Sequence, residues 1–223
     1  MITTRYLRDY ASDFRPRAVV HLGAHHAGEM SEYEALRPEV VLWIDAVDDH
    51  LPVYQNRLLT LPEARRAHHR YRVSLITSRD DDARDFYEFS NKGSSSSIYR
   101  AAPELFEHWP SVSETGVVKR LKTSTLDSLL LREKDILDRL DMLVLDVQGA
   151  ELECLRGAEH SLSRVRFLEV EASRVEIYQG GVLFKTLDPW ITARGFVRRT
   201  GITRSKTWPK DMLVGNVVYE RLT

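Results

Sequence analysis

The sequence predicts an α/β fold with a mostly parallel sheet covered by helices on both faces. Three observations predict it. Val19-Val-His-Leu-Gly-Ala-His-His-Ala-Gly-Glu29 starts as an apolar run, breaks at a glycine-containing turn and continues with helical periodicity. Val144-Leu-Asp-Val-Gln-Gly-Ala-Glu-Leu-Glu-Cys-Leu155 repeats that strand, turn and helix. Along the rest of the chain, short apolar runs alternate with segments of helical spacing. In open sheets of this kind, ligands bind where the carboxyl ends of strands meet such turns. The first turn carries glycines, and the second carries Asp146, Gln148 and Glu151.

The elements follow in order. Residues 1–17 are polar and predict a peripheral helix or arm, and residues 18–223 predict a single domain. Ala18–Leu22 reads as a buried strand, Gly28–Leu36 as a helix ending before Pro38, and Val40–Asp45 as a second strand ending on an acid. Leu51–Leu61 has helical spacing, and Tyr71–Ile76 is a third strand. Ser78–Arg84 reads as a charged turn, Phe86–Phe89 as a short strand, and Asn91–Ser97 as a polar loop. Ala101–Trp109 predicts a short helix and Val117–Leu121 an edge strand. Thr125–Leu140 predicts a helix that Ser124 or Thr125 can cap. Met142–Asp146 is a buried strand, Ala150–Leu162 a helix and Val165–Glu171 another strand. Leu183–Arg194 reads as a helix closed by Gly195 at C′, and Val214–Glu220 as the last strand.

The composition bounds the function. The 223 residues are 43% hydrophobic and 29% charged, ordinary for a soluble globular chain with one sizeable core. A formal net charge of −1 gives no polyanion-binding signature, so a nucleic-acid partner is not expected. The lone cysteine, Cys154, rules out an intramolecular disulfide and fits a reducing compartment. No stretch approaches the roughly 20 apolar residues that span a bilayer, and the first residues lack an apolar signal core. The expectation is a cytoplasmic protein with no membrane partner, a small-molecule substrate and room for a homodimer.

The glycine turn invites a ligand. Gly23 lets the backbone turn sharply and approach a ligand closely, and Gly28 lets the next helix start near the strand. No Lys-Ser/Thr follows Gly28, so this is not a P-loop. His25 and His26 stand where the three-glycine dinucleotide fingerprint wants small residues. Asp45 follows the turn by about 20 residues, at the end of the second strand, where an acid accepts hydrogen bonds from both ribose hydroxyls of an adenosine.

These segments resemble the FkbM family of S-adenosylmethionine-dependent methyltransferases. The resemblance runs from Ala18 to Glu220. It rests on His21-Leu-Gly-Ala-His-His-Ala-Gly-Glu29 with Tyr33, on Trp43-Ile-Asp-Ala46, on Asn91-Lys-Gly-Ser-Ser-Ser-Ser97 and on Lys122-Thr-Ser-Thr-Leu-Asp-Ser-Leu-Leu130. The strongest match is Leu145-Asp-Val-Gln-Gly-Ala-Glu-Leu-Glu-Cys-Leu-Arg-Gly-Ala158, followed by Glu169-Val-Glu171 and Tyr178. It implies a Rossmann-like class I methyltransferase fold with a seven-stranded, mostly parallel sheet. It also implies methyl transfer from S-adenosylmethionine, usually to a hydroxyl of a sugar or natural product. The implied cofactor contacts are His21, Gly23, Ala24, His25, Gly28, Glu29, Asp45, Ala46, Ser74 and Asp146. The chain departs from the family at His21, where an acid is common, at Asp45-Ala46, where Glu-Pro is frequent, and in its paired histidines.

Methyl transfer asks the protein to align donor and acceptor and to manage a proton. Asp146, Glu171 and Gln148 are the candidate catalytic residues: Asp146 as base, Gln148 as an orienting amide. Asn91, Ser95, Ser96, Gln148, Glu151 and Tyr178 are the candidate acceptor contacts, with Asn91–Ser97 as an ordered lid. Glu151 has a second reading, as a first-turn carboxylate complementing the helix dipole and free amides. Glu169 and Glu171 share one face of a strand and with Asp146 can hold a divalent cation; hydrogen bonding is the simpler reading, and no metal is expected. A non-catalytic ligand-binding domain, an N-methyltransferase and a nicotinamide-dependent oxidoreductase are the competing functions.

Overall fold

The computed structural model describes residues 2–202 and 213–222. The chain opens with α1 (Ile2–Tyr10), then alternates through β1 (Ala18–Leu22), α2 (Met30–Leu36), β2 (Val40–Asp45), α3 (Leu51–Leu58), the single turn α4 (Glu63–Arg66) and β3 (His69–Val73). An excursion follows in β4 (Leu75–Ile76), β5 (Ala83–Phe89), α5 (Pro103–His108) and β6 (Glu114–Ser124). The alternation resumes with α6 (Leu126–Arg132), α7 (Lys134–Leu137), β7 (Leu140–Leu145), α8 (Glu151–Arg156), α9 (Glu159–Leu162) and β8 (Phe167–Ser173). It ends with α10 (Phe184–Thr192), β9 (Phe196–Arg198) and β10 (Val214–Arg221).

Seven strands form one sheet in the order β3-β2-β1-β7-β8-β10-β9. The five from β3 to β8 run parallel, and β10 is antiparallel to both its neighbours. Every residue of β1, β7 and β8 is buried. Helices cover both sheet faces, so β1 and β7 read as apolar runs apart from His21 and Asp141, while β8 buries Glu169 and Glu171 among its apolar residues. Alternate residues feed two cores. Val20, Leu42, Leu143 and Leu168 pack with Leu126, Leu155 and Leu187 on one side. Val19, Trp43, Met142 and Phe167 pack with Leu7, Met30, Tyr33 and Tyr54 on the other. The strand order reverses between β1 and β7, which opens a crevice at their carboxyl ends.

The structure differs from the sequence reading in several places. The helix predicted over Thr125–Leu140 breaks at Glu133 (φ −110°, ψ 54°), and Leu140 already belongs to β7. Thr125 does cap it, accepting a hydrogen bond from Ser128 N. The helix predicted over Ala150–Leu162 divides at Gly157, where a Cβ would lie 2.1 Å from the Thr77 carbonyl oxygen. The predicted edge strand Val117–Leu121 is part of β6, the middle strand of a three-stranded sheet ordered β4-β6-β5. The predicted third strand ends at Val73, because Ser74 turns the chain out of the main sheet towards β4. Gly195 takes φ 85° one residue beyond the expected position, since Ala193 is the cap of α10. The predicted N-terminal helix is docked: Leu7 is buried and Thr3 N donates to Glu169 Oε2 at 2.7 Å. Among the described residues no helix is long and apolar enough to cross a membrane.

Candidate active site

The crevice is built from two turns that lean on each other. Asp146 N donates to Leu22 O at 3.0 Å, while Gly23 N and Ala24 N both donate to Ile44 O. Gly23 takes φ 78°, and a Cβ on it would lie 1.8 Å from the Asp146 carbonyl oxygen. Its glycine identity is thus set by the sharp turn that the sequence predicts and by the backbone of the neighbouring turn, which the sequence does not reveal. His25 (φ 47°) and Ala27 (φ 54°) continue the turn in the left-handed region that non-glycine residues seldom adopt. His25 N donates to Asp45 Oδ2 at 2.6 Å and Val47 N to Asp45 Oδ1 at 3.2 Å, which holds that backbone in place. Burial raises the Asp45 pKa, and these amides oppose the shift.

Two cavities meet over these turns. The first, about 410 Å³, is lined by Gly23, His25, Asp45, Ala46, Ser74, Ser96 and Asp146, with Leu22, Ile44, Val47, Leu75, Ile76, Phe86 and Ile98 as apolar walls. The second, about 440 Å³, is lined by Glu29, Asn91, Ser95, Trp109, Glu171, Tyr178 and Asn216 among others. Ser94, Asp146 and Gln148 line both. Both volumes lie in the range of small-molecule pockets.

Gln148, itself at φ 54°, is the knot between the turns. Its amide nitrogen donates to Glu171 Oε2 at 3.0 Å and to Asp146 Oδ1. Its amide oxygen faces the Tyr178 hydroxyl at 2.7 Å. A carboxylate only accepts, so these contacts fix which end of the amide points where. Gln148 was expected to orient a substrate. Its amide bridges two acids and a tyrosine, and so keeps two carboxylates side by side, while the residue lines both cavities. The Asn91–Ser97 segment is an ordered wall between the cavities. Tyr178 Oη reaches Ser95 O at 2.9 Å and Ser97 Oγ donates to Gln148 O at 2.7 Å. Asn91 holds the segment internally through Ser95 N and Ser95 Oγ, and Ser96 Oγ accepts from Phe89 N.

Several predicted site residues lie elsewhere. Ala24 and Gly28 line neither cavity. His21 is also outside both: it is buried, bonded through Nδ1 to Tyr33 Oη at 2.8 Å and packed on Trp43. Burial lowers its pKa. Glu29 faces the second cavity, where the cofactor set had placed it in the first. Glu151 is only 3% exposed and accepts from Val147 N and Gly149 N, so it holds the second turn. Burial, then the nearby Glu171 charge, raises its pKa to about 8. Sequence reasoning missed His50, Lys92, Trp109 and Asn216. No sequence pattern marks any of the four; the β8–β10 register places Asn216 as the antiparallel partner of Glu171. Among the described residues no group of three or more metal-ligating side chains comes together.

The model of the FkbM methyltransferase domain matches residues 21–198, a span covering both turns and both cavities' main walls. The chain belongs to the FkbM methyltransferase family. Its fold is the Rossmann-like class I methyltransferase fold, and solved structures agree. The FkbM methyltransferase of Methylobacillus flagellatus is 14% identical, with a TM-score of 0.53 over 92% of this chain and 43% of that one. The chain therefore spans less than half the length of that relative. The magnesium protoporphyrin IX methyltransferase of Synechocystis, solved with bound S-adenosylmethionine, is 13% identical with a TM-score of 0.52, covering 99% of this chain and 77% of that one. A putative RNA methyltransferase from Pyrococcus horikoshii is 9% identical with a TM-score of 0.51, covering 99% and 80%. No curated protein matches the sequence.

Proposed function

We propose that this FkbM-family protein transfers a methyl group from S-adenosylmethionine to a hydroxyl of a small molecule, a sugar or natural product. The observation that carries the reading is the shared wall: one carboxylate, Asp146, lines both cavities. A donor in the first and an acceptor in the second would meet there. The residues of the first cavity fit the cofactor. Asp45 offers a carboxylate at the second strand's end, beside a largely apolar chamber suited to an adenine ring. Gly23, Ala46 and Ser74 would hold the remainder.

The cofactor supplies a sulfonium-activated methyl carbon. Asp146 accepts the acceptor's proton, and Glu171 lines the acceptor side with it. Gln148 keeps both carboxylates aimed at one place. Asn91, Ser95 and Tyr178 wall the acceptor chamber. The formal net charge of −1 supports a small acceptor over a nucleic-acid one, even though the fold is also found among RNA methyltransferases. Calorimetric titration with S-adenosylmethionine, S-adenosylhomocysteine and NAD tests the reading. Binding of the first two without NAD supports it. Binding of NAD alone, or of none, sinks it.

A further inference from the structure

His50 heads α3, yet its side chain makes no capping hydrogen bond there. Its ring lies against His25 instead, centroids 3.7 Å apart. His25 Nε2 in turn meets the Lys92 carbonyl oxygen at 2.9 Å, and a carbonyl only accepts, so Nε2 carries the proton. Gly93 sits on the other edge of His50, where an added Cβ would lie 3.1 Å from Nε2. His25, His50, Lys92 and Gly93 all line the first cavity. The loop wall of that cavity thus stands on two imidazoles in tilted contact, their planes 50° apart.

We propose that His50 is a positioning residue for the cofactor: in its neutral form it seats His25 and the Lys92–Gly93 backbone, and so closes the wall of the cofactor cavity. The proposal rests on the methyltransferase reading above. A positive charge on His50 would lie against the His25 ring in a part-buried site, so this contact favours neutral His50. The surrounding charges do little to offset that cost. Asp49 and Glu88 both pair with Lys119 of β6, at 2.5 and 3.1 Å, which weakens their hold on a protonated His50. His26 lies 4.5 Å from His25, centroid to centroid, with Glu29 and Arg57 acting on it in opposite senses. Asp45 lies under the His25 backbone. Burial first, then His25, lowers the His50 pKa. The sign follows: the closed wall favours neutral His50, so closure is complete above the ordinary histidine pKa and is lost as pH falls below it.

The test is calorimetry on the full chain with S-adenosylhomocysteine and S-adenosylmethionine at pH 7.5, 6.5 and 5.5. One coupled proton predicts that wild-type affinity for S-adenosylhomocysteine falls about tenfold across this range. The fall should be steeper for S-adenosylmethionine, whose sulfonium meets the new positive charge. In His50→Asn the pH dependence should flatten to within about threefold, because the ring whose charge opens the wall is gone, and affinity at pH 7.5 should drop several-fold, because the seat of His25 is lost. Asn is a favoured N-cap, so folding is retained, and His50→Gln repeats the test with a longer amide. A wild type without the acid loss overturns the proposal. So do variants with the wild-type slope, which would place the proton elsewhere, Asp45 first. A wild type that binds neither ligand at pH 7.5 brings down the underlying methyltransferase reading itself.

Discussion

Gly23 lies so close under Asp146 that a methyl group added to its α-carbon would sit 1.8 Å from the Asp146 carbonyl oxygen. The first turn and the acid-bearing turn are therefore one packed unit, and the contact that joins them is backbone on backbone.

Gly23→Ala should accordingly damage the fold before it damages binding. The new Cβ must push β1 and β7 apart at their carboxyl ends, and φ 78° is itself strained for alanine. A loss of about 2–3 kcal/mol or more is expected, read as a shift of the denaturant midpoint. A variant with wild-type stability and weakened cofactor binding would restore the simpler idea that a ligand alone needs this glycine.

Asp45→Ala should weaken S-adenosylhomocysteine binding roughly ten- to a hundredfold, since a hydrogen bond to a charged group is worth about 1.5–3 kcal/mol. It also frees the His25 and Val47 amides, so a modest drop in melting temperature should accompany it. Calorimetry and a thermal melt on the same sample separate the effects. Unchanged affinity in the folded variant would remove Asp45 from the cofactor site.

How much was legible follows from the same residues. Ala18–Leu22 and Val40–Asp45 were read with their observed bounds, because strands buried on both faces leave continuous apolar runs. Asp45 and Asp146 could be placed on the cavity walls because each sits at or just past the carboxyl end of such a run, and Glu171 because it lies near the carboxyl end of β8. Gly157 was not, since its role depends on a carbonyl 80 residues upstream at Thr77. His50 and Asn216 were not, because no local pattern separates a histidine heading a helix, or an asparagine within a strand, from its bland counterparts. Glu151 had two readings from sequence, and only the Val147 and Gly149 amides show which one the fold uses.

Glu151→Gln should show a pH-dependent gain in stability. The folded-state pKa of Glu151 is raised to about 8 by burial and then by Glu171. A raised carboxyl pKa gives stability that is whole below the unfolded-state value and is lost as pH climbs to the folded one. The window is therefore about pH 4.5–8. Glutamine keeps an acceptor for both amides and cannot ionise. At pH 5 the two proteins should melt alike, and at pH 9 the variant should melt several degrees higher. Parallel melting curves at both pH values would mean that Glu151 is already ionised in the fold.

Asp146→Asn probes the chemistry most directly. The carboxylate lines both cavities, and asparagine keeps its shape while removing the proton acceptor. One of its oxygens takes a hydrogen bond from Gln148, and the amide oxygen of asparagine can still accept it. Losing a general base costs about 10²–10⁴ in rate, while cofactor affinity should change little if the group acts on the acceptor. The measurement is release of S-adenosylhomocysteine with an acceptor fraction that supports wild-type turnover, beside a calorimetric titration of the variant. Turnover should collapse with binding intact, and chelator should leave the wild type unaffected. Turnover within a factor of a few of wild type would move the base elsewhere, with His25 and His26 next in line. Loss of wild-type turnover in chelator, restored by magnesium, would recast Asp146 and Glu171 as metal ligands.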